Sequence, residues 1–399
     1  MLSISNRGKQ MPSSPIRKLV PFSDAAKKKG TKVYHLNIGQ PDIATPAQAM
    51  EAVRNNTLRV LEYSHSAGNE SYRKKLVQYY GKQDIHVNTD QIVVTTGASE
   101  AILFAFMACL DPTDEVIIPE PFYACYEGYA VESGVKVIPV TSHIESGFAL
   151  PPIEAFEKAI TPNTKAILIC NPNNPTGYLY GKEEMESLKR LIVKHNLYLF
   201  SDEAYSEFCY EGEHYSAMHL TNVDDNIVLI DTISKRYSAC GARIGALITK
   251  NTAILSTVMK FAQARLSPPG FGQILGEAAV DLPENYFEET KAEYKLRRDT
   301  IVKRLNAIPG VFCPNPGGAF YVIAKLPIDD SDKFCQWLLE DFSYNDQTIM
   351  LAPGTGFYST FGLGIKEVRL AYVLNTEAIN SAMDCLEKAL EAYPGQMYR

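Results

Sequence analysis

Ala166-Ile167-Leu168-Ile169-Cys170-Asn171-Pro172-Asn173-Asn174-Pro175-Thr176-Gly177 is the stretch on which the fold turns. Its first five residues are apolar with no polar alternation, the pattern of a strand covered on both faces. Its last seven carry two Asn-Pro pairs. Proline locks φ and drives the residue before it out of the helical region. The strand therefore stops at Asn171, and a rigid loop follows that aims asparagine side chains. Outward from this strand the same texture repeats. Short β-branched runs at 92–96, 116–118, 135–140, 197–200, 227–230 and 244–249 alternate with helical stretches at 98–110 and 183–195. Strands interleaved with helices need crossover connections, which predicts an α/β fold with a mostly parallel seven-stranded sheet covered by helices.

From about residue 286 the texture changes. A charged amphipathic helix over 288–305 is followed by a turn and strand at 317–322, a helix at 332–341, a strand at 368–372 and a last helix at 376–393. The first 46 residues read as an arm punctuated by Pro12, Pro15 and Pro21, with a short helix at 23–29. The expected organisation is a large domain over 47–285 and a smaller α+β domain built from both chain ends, 1–46 and 286–399.

Composition excludes more than it assigns. With 39 Lys and Arg against 46 Asp and Glu, the 399-residue chain carries a net charge of -7, whereas a nucleic-acid protein needs a basic face. The longest clean apolar run, 101–110, is far shorter than the roughly 20 residues of a membrane helix. The N-terminus lacks the apolar core of a secretory signal. None of the eight cysteines forms a Cys-x-x-Cys pair, so they read as buried free thiols in a reducing cytoplasm. The seven histidines show no His-x-x-x-His pattern, and no protein-ligated metal is expected.

In an open parallel sheet, ligands bind beyond the carboxyl ends of the strands. Four strands stop at chemically loaded places. Gly97-Ala98-Ser99 opens a helix, where free N–H groups and the helix dipole favour an anion; the plainer reading is a turn with Ser99 as N-cap. Asn171 to Gly177 is the rigid loop already described. Asp202 ends an apolar strand, so its carboxylate is expected to be partly buried and to need a partner, and Tyr205 follows three residues on. Lys235 follows Thr232 and Ser234; a lysine beside a buried pocket can act as a nucleophile towards carbonyls. Arg243 stands between the small residues of Gly241-Ala242-Arg243-Ile244-Gly245, where its planar fork suits a phosphate. Neither a Gly-x-Gly-x-x-Gly nor a Gly-x-x-x-x-Gly-Lys-[Ser/Thr] loop occurs, so nucleotide loops are not supported.

Together, Asn171-Pro-x-Asn174-Pro175-Thr176-Gly177, Asp202-x-x-Tyr205, Ser234-Lys235 and Gly241-x-Arg243-x-Gly245 resemble the pyridoxal-phosphate enzymes of fold type I, the class I/II aminotransferases. The resemblance covers nearly the whole chain. It implies that Lys235 bonds the aldehyde of pyridoxal 5'-phosphate and later shuttles a proton. Asp202 then pairs with the pyridine nitrogen, and Asn174 and Tyr205 bind the ring hydroxyl oxygen. The phosphate falls to Ala98, Ser99, Thr232, Ser234 and Arg243, and Tyr123 stacks on the ring. Tyr63 reaches the cofactor of a neighbouring subunit, which implies a homodimer with a shared site. Gly39 and Arg369 face the substrate, with Arg369 clamping the α-carboxylate. The implied reaction moves an amino group between an L-amino acid, aspartate-type or aromatic/apolar, and a 2-oxo acid such as 2-oxoglutarate. A carbon–sulfur β-lyase on the same scaffold is the alternative. Some dicarboxylate-specific relatives carry a lysine where this chain has Ser99, and no second arginine is assignable to a distal carboxylate. Phe22, Tyr123, Phe357 and Tyr358 are candidates for an apolar pocket wall or, more plainly, for core packing.

Overall fold

The computed structural model describes residues 2–283 and 285–397. Twelve strands run in chain order as β1 (Lys32–His35), β2 (Ile92–Thr95), β3 (Glu115–Glu120), β4 (Lys136–Thr141), β5 (Thr164–Cys170), β6 (Tyr198–Asp202), β7 (Ile227–Thr232), β8 (Gly245–Ile248), β9 (Tyr321–Lys325), β10 (Gln347–Met350), β11 (Ala352–Pro353) and β12 (Glu367–Ala371). Seven of them form one sheet in the order β2-β8-β7-β6-β5-β3-β4. The neighbours from β7 through β4 pair in parallel, and β8 runs antiparallel to both β7 and β2. The expected seven-stranded, mostly parallel sheet is present.

Alternate residues of these strands enter different cores. Leu168 of β5 and Phe200 of β6 pack with Ile102 and Phe106 of the helix Gly97–Cys109. Ile167, Ile169 and Leu199 pack on the other face with Met185, Leu188, Leu191 and Ile192 of the helix Lys182–His195. Both faces are dry, which is why the strands carry apolar runs rather than alternation. The helix 182–195 shows the complementary logic, an apolar stripe at i, i+3, i+6 and i+7. Glu184 accepts from the Gly181 N–H at its start, and Asn196 in the left-handed region closes its end.

One strand runs past the end expected for it at residue 118. Strand β3 does not end at Pro119 but runs through it to Glu120. Beyond Ile117 its pairing with β5 has ceased, while pairing with β4 continues to Thr141. On that one-sided stretch a missing N–H need not cost a ladder bond. The first long helix likewise starts earlier than expected, at Val20 rather than residue 23, because Pro21 falls in its first turn, where no N–H partner is needed.

The remaining strands join distant chain segments. β1 pairs in parallel with β10, so residues 32–35 lie on 347–350. β12 lies between β11 and β9, antiparallel to both. The helices Asn285–Ala307 and Thr376–Ala392 pack on one another.

Gly245 sits where β8 meets the start of the helix Gly97–Cys109. A Cβ there would lie 2.5 Å from the Gly97 carbonyl carbon and 2.6 Å from the Asp231 carbonyl oxygen. Both are backbone atoms, which cannot rotate away. Gly245→Ala is expected to cost roughly 1–3 kcal/mol as overpacking and to lower the thermal midpoint. Gly241→Ala, where nothing lies within 4 Å, is the control expected to move little in the same calorimetric scan.

Candidate active site

The carboxyl ends of β5, β6 and β7 and the start of the helix Gly97–Cys109 open into one cavity of ≈ 570 Å³. Its other walls include the chain ends, through Ser14, Ile16, Arg17, Ile38–Gln40, Tyr321 and Arg369. Twelve of the residues singled out from sequence line it: Gly39, Ala98, Ser99, Tyr123, Asn174, Asp202, Tyr205, Thr232, Ser234, Lys235, Arg243 and Arg369. Tyr63 does not. Its side chain is 78% exposed on the surface of this chain.

Lys235 is carried on the short helix Ile233–Arg236 directly after β7. Its Nζ donates to the Gly39 carbonyl at 2.9 Å and lies 3.8 Å from Cys240 Sγ. Thr232 caps that helix, accepting from the Ser234 N–H at 3.2 Å, and the two hydroxyls lie 2.8 Å apart. Behind the turn, Asp231 accepts from the Thr232 N–H and from buried Arg236, both at 2.6 Å. Neighbouring backbone and a compensated buried charge therefore fix where the lysine starts.

Asp202 is the last residue of β6 and is buried. One oxygen accepts from the Tyr126 hydroxyl at 2.7 Å and the other from the Ala204 N–H at 3.2 Å. No cation pairs with it among the described residues. Burial pushes its carboxyl up to about 6, against the two hydrogen bonds, which pull it down. Asp202 does not cap a helix, since none begins there among the described residues.

Asn174 and Tyr205 meet in the cavity. The Asn174 amide donates to the Tyr205 hydroxyl at 3.4 Å, and that hydroxyl lies 3.0 Å from the Tyr321 hydroxyl. Arg369, on β12 and 1% exposed, donates to Asn174 Oδ1 at 3.0 Å and to the Asn37 carbonyl at 2.5 Å. The guanidinium also lies over the rings of Tyr321 and Phe357, at 4.5 and 4.8 Å.

At the opposite wall, Gly97 has φ +75°, and a Cβ on it would sit 2.3 Å from Arg243 Nη2. Only glycine lets the guanidinium approach the helix start so closely. Ser99 is not the N-cap; it lies in the helix and accepts from the Tyr129 hydroxyl at 2.8 Å. Of the four aromatics proposed as a pocket wall, Tyr123 alone lines the cavity. Phe22 packs against the core, Phe357 is buried beneath Arg369, and Tyr358 donates to Glu367.

Sequence reasoning missed Tyr126, Tyr321 and Arg17. Tyr126 had a legible signal, one helical turn after Tyr123 in Tyr123-Ala124-Cys125-Tyr126. Tyr321 reaches the cavity only because Gly39 makes room; a Cβ there would meet its hydroxyl at 1.7 Å. Nothing local marks Tyr321 or Arg17.

The family model of aminotransferase class I and II matches residues 31–384. The chain belongs to the class I and II aminotransferases. It is 34% identical over 389 residues to the aspartate aminotransferase of Pyrococcus horikoshii, with 95% of each chain covered. It is 34% identical over 395 residues to that of Thermotoga maritima, covering 98% of this chain and all of the relative. The solved structure of aspartate aminotransferase from Thermotoga maritima superposes with a TM-score of 0.89 at 33% identity over 98% of this chain and all of that one. An alanine aminotransferase from Pyrococcus furiosus does so equally, at 0.89 and 32%, over 97% and 99%.

As a class I and II aminotransferase the protein uses pyridoxal 5'-phosphate and acts on amino acids and 2-oxo acids. Its cavity fits that cofactor on two counts and an amino-acid substrate on a third. Arg243 and the bare Gly97 N-terminus form a cradle for a phosphate. Asp202 is a buried carboxylate of the kind that holds a protonated ring nitrogen. Arg369 keeps a buried Nε without a hydrogen-bond partner, a donor suited to a carboxylate. Among the described residues, no helix is long and apolar enough to cross a membrane.

Because the folded state raises the Asp202 carboxyl from 3.8 to about 6, it favours the protonated form. Ionising Asp202 therefore costs stability as pH rises from about 4 through 6. In cofactor-free protein, Asp202→Asn is expected to be more stable than wild type at pH 7.5 by about 3 kcal/mol. That advantage should vanish near pH 4, as urea denaturation at the two pH values would reveal. An advantage independent of pH would contradict the burial of an ionised carboxylate.

Proposed function

We propose that this aminotransferase moves the amino group of an L-amino acid, aspartate-type by the names of its relatives, to a 2-oxo acid such as 2-oxoglutarate. The carrying observation is that the Lys235 amine, the buried Asp202 carboxylate and the buried Arg369 guanidinium line a single cavity. When bound, pyridoxal phosphate supplies an electron sink conjugated to the substrate nitrogen. Lys235 would hold the cofactor aldehyde and would move the proton at the substrate α-carbon. Its hydrogen bond to the Gly39 carbonyl keeps the amine beside the substrate wall. Asp202 holds a proton on the ring nitrogen, with Tyr126 aligning the carboxylate. Asn174 and Tyr205 would bind the ring hydroxyl oxygen, and Tyr123 would lie against the ring. Ala98, Ser99, Thr232, Ser234 and Arg243 hold the phosphate. Arg369 binds the α-carboxylate, for which its buried Nε is uncommitted in this chain.

The working unit in this reading is a cytoplasmic homodimer. Tyr63 stands on a segment that exposes Leu58, Val60 and Leu61, near exposed Phe271 and with Leu61 against Gly270. Apolar patches of this kind mark association surfaces. A second copy covering it would bring Tyr63 to the partner's phosphate. Residues 1–46 and 286–399 in this reading form one substrate-closing unit on the cofactor-carrying 47–285, with β1 on β10 as the join.

The purified protein is expected to be yellow and to lose that absorbance on mixing with its amino donor, without a keto acid present. Borohydride should fix the cofactor to Lys235; mass mapping that finds the label on another residue refutes the assignment. Release of pyruvate and ammonia would make the enzyme a β-lyase instead. For the dimer, sedimentation at micromolar concentration should give twice the chain mass, and Leu61→Glu should shift it towards monomer while weakening cofactor retention. A fully active wild-type monomer would exclude the shared site.

A further inference from the structure

Four cationic side chains line the cavity, Arg17, Lys235, Arg243 and Arg369, against one carboxylate, Asp202. On the reading proposed above, three of the cations have partners. The cofactor takes Lys235 and Arg243, and the α-carboxylate takes Arg369. Arg17 is left over. Among the described residues nothing bonds its guanidinium, although the next residue, Lys18, is paired with Asp332.

The backbone that carries Arg17 is held firmly. The Asn37 amide donates to the Ile16 carbonyl at 3.0 Å, and the Asn37 carbonyl accepts from Arg369 at 2.5 Å. Pro15 packs on Gly356, where even a Cβ would lie 2.1 Å away. The Arg17 N–H donates to the Ser14 carbonyl, and the Val20 N–H to that of Arg17. The segment is therefore tied through one asparagine to the α-carboxylate arginine. A fixed backbone with an uncommitted guanidinium is a pre-organised anion receptor, and neighbouring cations deepen its attraction for an anion. The planar fork suits a carboxylate held in two-point contact.

We infer that Arg17 binds the side-chain carboxylate of a dicarboxylic amino acid or 2-oxo acid while Arg369 holds the α-carboxylate. Arg17 is thus the residue that sets the preference for acidic over neutral substrates. The inference rests on the aminotransferase reading of the cavity. It needs no lysine at Ser99, because the cation comes from the N-terminal segment instead. An exposed ion pair is weak in water; the contact gains strength because the cavity walls screen it once substrate fills the mouth.

The test uses the holoenzyme and its Arg17→Gln and Arg17→Lys variants. Arg17 is exposed, so the variants should fold. The ratio of kcat/KM for L-aspartate over L-alanine is expected to fall at least tenfold in Arg17→Gln and to recover partly in Arg17→Lys. Succinate, which has two carboxylates and no amine, should bind the glutamine variant at least tenfold more weakly by calorimetry. An unchanged ratio with unchanged succinate binding overturns the assignment. So does a wild-type enzyme that reacts with alanine or aromatic amino acids but not with aspartate, an outcome that leaves the aminotransferase site standing. Failure of every amino acid to discharge the cofactor overturns both.

Discussion

The buried guanidinium of Arg369 is the constraint on which the active-site half of this molecule depends. A charge with 1% exposure is costly unless every side of it is answered. Here all but its Nε is answered, by the carbonyl of Asn37 after β1, the amide oxygen of Asn174 after β5, and the rings of Tyr321 and Phe357. Burial pushes the guanidinium below its usual range, but arginine keeps its proton. The cavity thus keeps a permanent positive charge, and the same hydrogen bonds hold the N-terminal segment, the central loop and the C-terminal strand at one point.

A second buried charge faces the first. Asp202 ends the strand at the centre of the sheet and lies within a shell that includes the equally buried Glu203 and Asp231. These carboxylates are managed differently. Asp231 is compensated by Arg236, while Glu203 accepts from Ser201, Ser216 and the Ala217 N–H and is pushed up to about 7 by burial. Asp202 has two hydrogen bonds and no cation among the described residues. It is the carboxylate that lines the cavity, and so the one whose charge is available to a ligand.

Most of the sheet was legible because each strand carries its own evidence. Val93, Ile117, Ile167 and Val228 stand in apolar runs that only two-sided burial explains. The polar residues at strand ends were legible for a related reason, since parallel strands deliver their carboxyl ends to one edge. The cap reading of Ser99 and the expected end of β3 before Pro119 failed because their surroundings are not local. Ser99 lies within the helix and accepts from Tyr129, and Pro119 stands where β3 no longer pairs with β5. Arg17 carried no signal at all: it follows Pro15-Ile16 in an arm without periodicity, and its cavity exists only after the arm has docked.

By itself the sequence determined the alternation of strands and helices, the class of sheet, and the residue types that line the cavity. These are properties of short segments, set by periodicity, proline and glycine chemistry, and the placement of charge at the end of an apolar run. Only the tertiary structure decided that Asn37, Asn174 and Arg369 share one network, that Tyr126 and not a helix N-terminus answers Asp202, and that Tyr321 occupies the space Gly39 leaves free. Those contacts join residues far apart in the chain. Their geometry comes from the packing of whole layers, and no local stretch contains it.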